Sequence, residues 1–265
     1  MFVVAGSAGF SGAAVLCAEA ALASGAGLVT LGLPKSINSA VIRIKPKEVM
    51  TLPLPETKQG SLSPAAYARI IGFCRRADVL ALGPGLTQEK LTQRLIRRII
   101  ANANLDMVID ADGLNALAGH LDILIKARNR LGSIVLTPHP GEMARLTDSD
   151  PASVQKDRKK VAKNFASRYN VVLVLKGHRT VVAGADALYI NSTGNPGMAK
   201  AGSGDVLTGI IASFLGQGLN AFEAARYGAY LHGCAGDIAA KDKTQMGMRA
   251  SDIITMLPEA IRHSS

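Results

Sequence analysis

The sequence predicts an α/β fold, with a mostly parallel central sheet and helices on both faces. Three observations carry that expectation. Of 265 residues, 48% are hydrophobic but only 4% aromatic. A core of that composition is aliphatic, which suits parallel strands covered on both sides. Short apolar runs alternate with longer amphipathic stretches, as in repeated strand–helix–strand units. Glycine-rich turns stand at the ends of the apolar runs, where strands of such sheets give way to helices.

The elements follow in order. Residues 2–5 read as a buried strand closed by the turn Gly6-Ser7-Ala8-Gly9. Ser11 caps an Ala- and Leu-rich helix running to about Ser24, which Gly25-Ala26-Gly27 ends before a strand over 28–33. Residues 45–63, rich in Pro, Thr and Ser, read as a surface excursion. A helix over 65–76 leads to a strand over 78–82 and its exit turn Gly83-Pro84-Gly85. Residues 88–101 are helical, and 107–109 and 134–136 are strands. Residues 153–169 form a helix with Val154, Val161 and Phe165 on its buried face. Three strands, 171–175, 180–183 and 187–190, are expected as antiparallel neighbours at one side of the sheet. Helices over 204–215, 221–240 and 250–261 complete the chain. No linker, repeat or low-complexity tract divides it, so residues 1–265 read as one domain.

Charge and cysteine usage narrow the function classes. The net charge is +10, but its clusters, Arg97-Arg98 and 156–163, fall on amphipathic helices and read as solvated faces. No nucleic-acid motif and no basic stripe interleaved with aromatics is present. The charge is compatible with a phosphate-bearing substrate. Cys17, Cys74 and Cys234 lie far apart with no CxxC pair, which suits buried apolar side chains in a reducing cytoplasm. Residues 1–34 carry one charge, Glu19, and glycines at 6, 9, 12, 25 and 27 interrupt them. Without a basic start they read as strand, loop and helix, neither a targeting signal nor a membrane span.

Six polar or glycine-rich loops fall where ligands collect in such sheets: 6–12, 83–85, 110–115, 137–142, 176–180 and 195–205. The last reads Asn195-Pro196-Gly197-Met198-Ala199-Lys200-Ala201-Gly202-Ser203-Gly204-Asp205 and runs into a helix. Glycines let successive N–H groups converge on one anion, and the helix N-terminus adds its dipole. Asp205 in that first turn is a candidate base, or a helix cap. His139, between two φ-fixing prolines, is aimed at a ligand or packs locally. Glu142 caps the next helix or works. Lys176 neutralises a phosphate or forms an ion pair. Asp110, Asp112 and Asn115 are candidate Mg²⁺ contacts, or a strand-end cap and a turn. His232 and Asp237 are read as helix packing.

Taken together, these segments resemble the ADP/ATP-dependent NAD(P)H-hydrate dehydratases of the ribokinase-like superfamily. The resemblance runs from the 6–14 loop to the Leu231-His232-Gly233-Cys234-Ala235-Gly236-Asp237 segment. It takes in Gly83-Pro84-Gly85-Leu86, Asp110-Ala111-Asp112-Gly113-Leu114-Asn115, Thr137-Pro138-His139-Pro140-Gly141-Glu142 and Lys176-Gly177-His178-Arg179-Thr180. It implies a ribokinase-like three-layer sandwich and ADP- or ATP-dependent dehydration of the S-epimer of NADH or NADPH hydrate, through phosphorylation of the ring hydroxyl. Mg²⁺ accompanies the nucleotide. Ala13, Gly83, Gly85, His139 and Asp205 match substrate positions, Asp205 being the catalytic one. Lys176, Gly177, His178, Arg179 and Thr180, with Gly202, Ser203 and Gly204, match the nucleotide site. A homo-oligomer is expected, and a separate epimerase is expected to act in the same pathway, since no epimerase-like segment precedes this one.

Three departures from the family pattern stand out. Lys200 and Ala201 replace the usual Thr-Gly, and Thr87 replaces a glycine. Lys200 is expected to add charge beside the phosphate, and Ala201 to narrow the loop. The competing readings are a vitamin or sugar-alcohol kinase of the same superfamily and a non-catalytic nucleotide-binding protein.

Overall fold

Nine strands among the described residues form one sheet in the order β3-β2-β1-β4-β5-β6-β7-β8-β9. The computed structural model describes residues 1–126 and 132–263. On one side of the first crossover lie β1 (Phe2–Val4), α1 (Ser11–Ala23), β2 (Thr30–Pro34), α2 (Lys35–Ile44) and β3 (Met50–Leu54). The chain then crosses back through α3 (Tyr67–Cys74) to β4 (Val79–Leu82), which pairs with the other edge of β1. It continues outward through α4 (Lys90–Asn102), β5 (Asp106–Ile109), α5 (Asp112–Leu117), α6 (Asp122–Lys126) and β6 (Ile134–Leu136). Next come α7 (Pro140–Leu146), α8 (Pro151–Lys156), α9 (Arg158–Tyr169), β7 (Val172–Leu175), β8 (Val181–Ala183) and β9 (Leu188–Ile190). The chain closes with α10 (Ser203–Gly216), α11 (Ala221–Gly247) and α12 (Ala250–Arg262).

The pairs from β3 to β7 are parallel, whereas β8 runs antiparallel to both neighbours. Strand order therefore reverses between β1 and β4, and a crevice opens at their C-terminal ends. The 6–12 loop leaves β1 there, and Gly83-Pro84-Gly85 leaves β4 beside it. Gly6 N–H donates to the Pro84 carbonyl at 2.8 Å, tying the two loops together.

Side-chain alternation divides the core into two layers. Phe2, Leu80, Leu82, Ile109, Leu136 and Leu173 face one side with residues of α3, α4, α7 and α9. Val3, Leu31, Ala81, Val108, Val135 and Val174 face the other, against α1, α10 and α11. At about 25 cal/mol per Å² of apolar burial, two such layers are the dominant favourable contribution to folding. Helices α1 and α10 nearly touch: a Cβ on Gly209 would lie 2.2 Å from the Cys17 carbonyl. That contact fixes the height at which α10 begins.

Several sequence expectations need correction. The 45–63 segment is more than an excursion, since β3 within it pairs with β2 over five residues. Pro53 argued against a strand there, but proline is tolerated on an edge. The helix expected over 153–169 is two, broken at Asp157 (φ −143°, ψ 63°). Asp150 and Asp157 cap the pieces by accepting from Ser153 N and Lys160 N. Ser11 opens α1 rather than capping it; the cap position is Phe10. Helix α11 runs past 240 to Gly247, with a break at Thr244 (φ 67°). Among its small residues, Gly228 packs on Ile211 and Gly236 on Met198 within the chain. The cysteines are unpaired, Cys17 and Cys74 being buried. No helix among the described residues is long and apolar enough to cross a membrane.

Candidate active site

Asp110, at the end of β5, is the hub. Its carboxylate is buried; Oδ1 accepts from Lys176 Nζ at 2.7 Å and Oδ2 from Thr208 Oγ1 at 2.8 Å. Lys176 comes from the loop after β7, Thr208 from the first half of α10. One carboxylate thus joins the sheet, the 176–180 hairpin and α10. Thr208 lies three residues after Asp205, on the same helical face; that spacing was the one signal in the sequence that could have revealed it.

Glu142, also buried, extends the network. Its Oε2 accepts from His139 N at 2.8 Å and lies 3.7 Å from Lys176 Nζ. His139 Nδ1 accepts from Gly141 N at 3.0 Å, so its side chain and that of Glu142 form a capping box at the start of α7. With Nδ1 accepting, the neutral ring carries its proton on Nε2, 3.4 Å from Glu142 Oε1. Burial lowers the His139 pKa; Glu142 opposes this and Lys176 adds to it. The ring is therefore a neutral donor at neutral pH. Burial also works against the charge on Lys176, but Asp110 and Glu142 outweigh it and hold the pKa above its ordinary value.

The glycine loop delivers α10 to this cluster. Gly202 takes φ 89° and Ser203 begins the helix. A Cβ on Gly204 would sit 3.3 Å from Lys176 Nζ and 3.6 Å from Asp110 Oδ2, so the first turn abuts the ion pair. Its amides lack intrahelical acceptors, and those of Gly204 and Asp205 stand beside a cation, which suits an anion. Asp205 is partly buried. Burial first, then the charges of Asp110, Asp112 and Glu142, push its pKa up to about 7, against the pull of Lys176. A carboxylate with that pKa takes and returns a proton near neutrality.

The crevice wall is glycine by necessity. A Cβ on Gly83 (φ 130°) would lie 1.9 Å from the Asp110 carbonyl. One on Gly85 (φ 63°) would meet Phe10 at 2.9 Å and Ala13 at 3.2 Å. Gly83, Gly85 and Ala13 thus share one wall. Ala111 (φ 47°) is a strained non-glycine residue that sends Asp110 and Asp112 in different directions. Asp112 accepts from Thr87 N at 2.7 Å and from Asn115 Nδ2 at 3.1 Å; Asn115 accepts from Arg145 at 3.0 Å.

These partners bear on metal binding. The oxygens of Asp110 and Asp112 already accept from protein donors, and no group of three His, Cys, Asp or Glu among the described residues makes a metal cage. Asp110 is engaged by Lys176 and Thr208, and Asp112 by Thr87 and Asn115.

The departures also find their places. Lys200 does not face the anion loop's amides: its Nζ donates to the carbonyls of Met246 and Met248 at 2.5 and 2.6 Å, tying down the end of α11. Ala201 is exposed, outside the positive-φ residues, so its Cβ is accommodated. Thr87, at φ 72°, occupies a glycine conformation, held by Asp112 and by its hydroxyl's 2.8 Å bond to Ser61. His232 is buried against Ser203 Oγ at 3.3 Å, and burial lowers its pKa to about 4. Asp237 accepts from Gly194 N and Asn195 Nδ2, both at 2.9 Å, anchoring the start of the 195–205 loop.

A doubly wound α/β sandwich with an anion-facing glycine loop and a raised carboxylate defines a class of nucleotide-using enzymes. The family model described as NAD(P)H-hydrate dehydratase matches residues 1–259, and the chain belongs to that family. A bifunctional NAD(P)H-hydrate repair enzyme of Moorella thermoacetica is 47% identical over 99% of this chain and 49% of its own length. An ADP-dependent (S)-NAD(P)H-hydrate dehydratase of Neisseria meningitidis is 39% identical over 89% of this chain and 75% of its own. The Bacillus subtilis ADP/ATP-dependent NAD(P)H-hydrate dehydratase, co-crystallized with ATP/Mg²⁺ and soaked with CoA, superposes with a TM-score of 0.83. It is 28% identical, with 100% of this chain and 91% of that one covered. The chain spans about half the length of the bifunctional relatives it matches.

Proposed function

We propose that this chain is an ADP- or ATP-dependent dehydratase of the S-epimer of NADH or NADPH hydrate, acting in repair of nicotinamide nucleotides. The observation that carries the reading is the start of α10, where Asp205 is held near pKa 7 beside free first-turn amides and Lys176. Family membership and the names borne by the relatives support it.

The chemistry follows from the geometry. Asp205 takes the proton of the ring hydroxyl as its oxygen attacks the terminal phosphorus of the nucleotide. The Gly204 and Asp205 amides and Lys176 receive charge developing on the transferred group. The phosphorylated oxygen is then a good leaving group. The ring nitrogen lone pair expels it, and loss of the adjacent ring proton from the resulting iminium restores the dihydropyridine. His139, as a neutral donor, and the Gly83, Gly85 and Ala13 wall hold the hydrate. The 176–180 hairpin, with Gly202, Ser203 and Gly204, holds the nucleotide. Mg²⁺ would arrive with the nucleotide phosphates, as it does through substrate in many such sites.

The reading extends to a cytoplasmic location, to an epimerase acting in the same pathway, and to a homo-oligomer measurable by sedimentation. The deciding experiment incubates purified protein with NADPH hydrate, Mg²⁺ and either ADP or ATP, following the near-ultraviolet absorbance of the dihydronicotinamide. A nucleotide-dependent rise that Asp205→Ala abolishes is expected. No rise with either nucleotide would sink the dehydratase.

A further inference from the structure

Arg158, the first residue of α9, lies outside every motif of the crevice, yet three backbone carbonyls of the 176–180 hairpin region converge on its guanidinium. Its NH2 donates to the Leu175 carbonyl at 2.7 Å and to the Lys176 carbonyl at 3.1 Å, and its NH1 donates to the His178 carbonyl. Gly177 (φ 136°) lies against the same group: a Cβ there would be 3.1 Å from NH2. No carboxylate among the described residues is paired with the guanidinium. Burial lowers its pKa, and its Nε is buried without a partner. A half-buried cation held by carbonyls alone, at the cost of an unmet donor, is an arrangement the sheet itself does not require.

A planar trans peptide fixes what this does to the loop. The C=O of one residue and the N–H of the next point in opposite directions. Drawing the carbonyls of Leu175, Lys176 and His178 toward Arg158 therefore turns the amides of Lys176, Gly177 and Arg179 away from it. The Lys176 amide is met by the Pro138 carbonyl at 2.8 Å. Those of Gly177 and Arg179 donate to no acceptor among the described residues. Arg179 holds φ 55°, the left-handed region, which keeps the turn in this shape.

We propose that Arg158 is a positioning residue for the adenine nucleotide, orienting the 176–180 hairpin so that the Gly177 and Arg179 amides face the bound ligand. This rests on the nucleotide-dependent reading above. Arg158 touches neither substrate nor reacting atoms; it acts through the backbone it gathers. A lysine, with one compact ammonium in place of a fork, reaches fewer of the three carbonyls and is an intermediate substitute.

The test combines calorimetric titration of ADP and ATP with steady-state kinetics on the wild type, Arg158→Lys and Arg158→Met. Arg158→Met is expected to weaken nucleotide binding about ten- to hundredfold, as loss of charge-assisted hydrogen bonds does, and Arg158→Lys to fall between. The KM for the hydrate at saturating nucleotide should not move. Equal losses for nucleotide and hydrate would show a general structural role and overturn the inference, as would unchanged nucleotide affinity in a folded variant. Hydrogen exchange on the wild type needs no variant to fold: ADP should slow exchange at the Gly177 and Arg179 amides, and unchanged rates there overturn the inference. A wild type that binds neither nucleotide sinks the dehydratase reading itself, whereas binding without these effects sinks only the role of Arg158.

Discussion

The Lys176 ammonium stands 2.7 Å from Asp110 Oδ1 and 3.7 Å from Glu142, with both carboxylates buried. One cation therefore balances two buried acids, and the carboxylates outweigh its own cost of burial. Removing it leaves charge uncompensated. Lys176→Met is expected to destabilise the fold by about 3–5 kcal/mol, read by urea unfolding. Adding Asp110→Asn to that variant should recover a large part of the loss. If the single variant unfolds like the wild type, the pair carries no structural weight.

Asp205 predicts a paired effect on rate and stability. With its pKa at about 7, kcat/KM should fall as pH drops below that value and level off above it. Asp205→Asn should lose about 10²–10⁴ of the rate. The sign for stability is opposite. A carboxyl raised from 3.8 binds its proton more tightly when folded, so ionising it costs stability as pH rises from 3.8 to about 7. Asp205→Asn should therefore have the higher Tm above pH 7, with the gain vanishing below pH 4. A lower Tm at all pH values would refute the burial argument.

His232 gives the acid-side counterpart. Buried and lowered from 6.5 to about 4, it binds a proton less readily folded than unfolded. Its neutral form favours the fold above pH 6.5, and that contribution drains away as pH falls toward 4. His232→Gln should flatten the stability profile across that window, as followed by thermal melts at stepped pH. A parallel profile would place the acid sensitivity elsewhere.

Lys200 tests what the departure from the family pattern does. Its bonds to the Met246 and Met248 carbonyls make it a strut for the end of α11. Lys200→Thr should cost about 1–3 kcal/mol of stability and leave the nucleotide KM as it was. A changed KM at constant stability would mean that its charge reaches the nucleotide.

The sheet was legible because its strands are apolar runs separated by glycine turns, and those signals are local. The strand β3 was hidden by Pro53, whose meaning depends on lying at an edge. The short helices α5, α6 and α7 are too brief to show a period. In the site, the loops announced themselves by glycine and by the order of motifs. Their wiring did not: Thr208 and Asp110 are 98 residues apart, and Arg158 reaches the 176–180 hairpin from a helix that reads as a solvated basic face. Lys200 was expected at the anion and bonds to carbonyls of a distant helix, a choice set by where α11 ends.

Pro53 has one more consequence. It sits on β3, in register with Leu33, at the outer end of the sheet. An open sheet edge is a template on which a second molecule can lay a strand, the first step toward fibrous aggregation. The imino acid interrupts the row of donors such a guest would need. The residue that disguised this strand in the sequence thus guards it against self-association in a crowded solution.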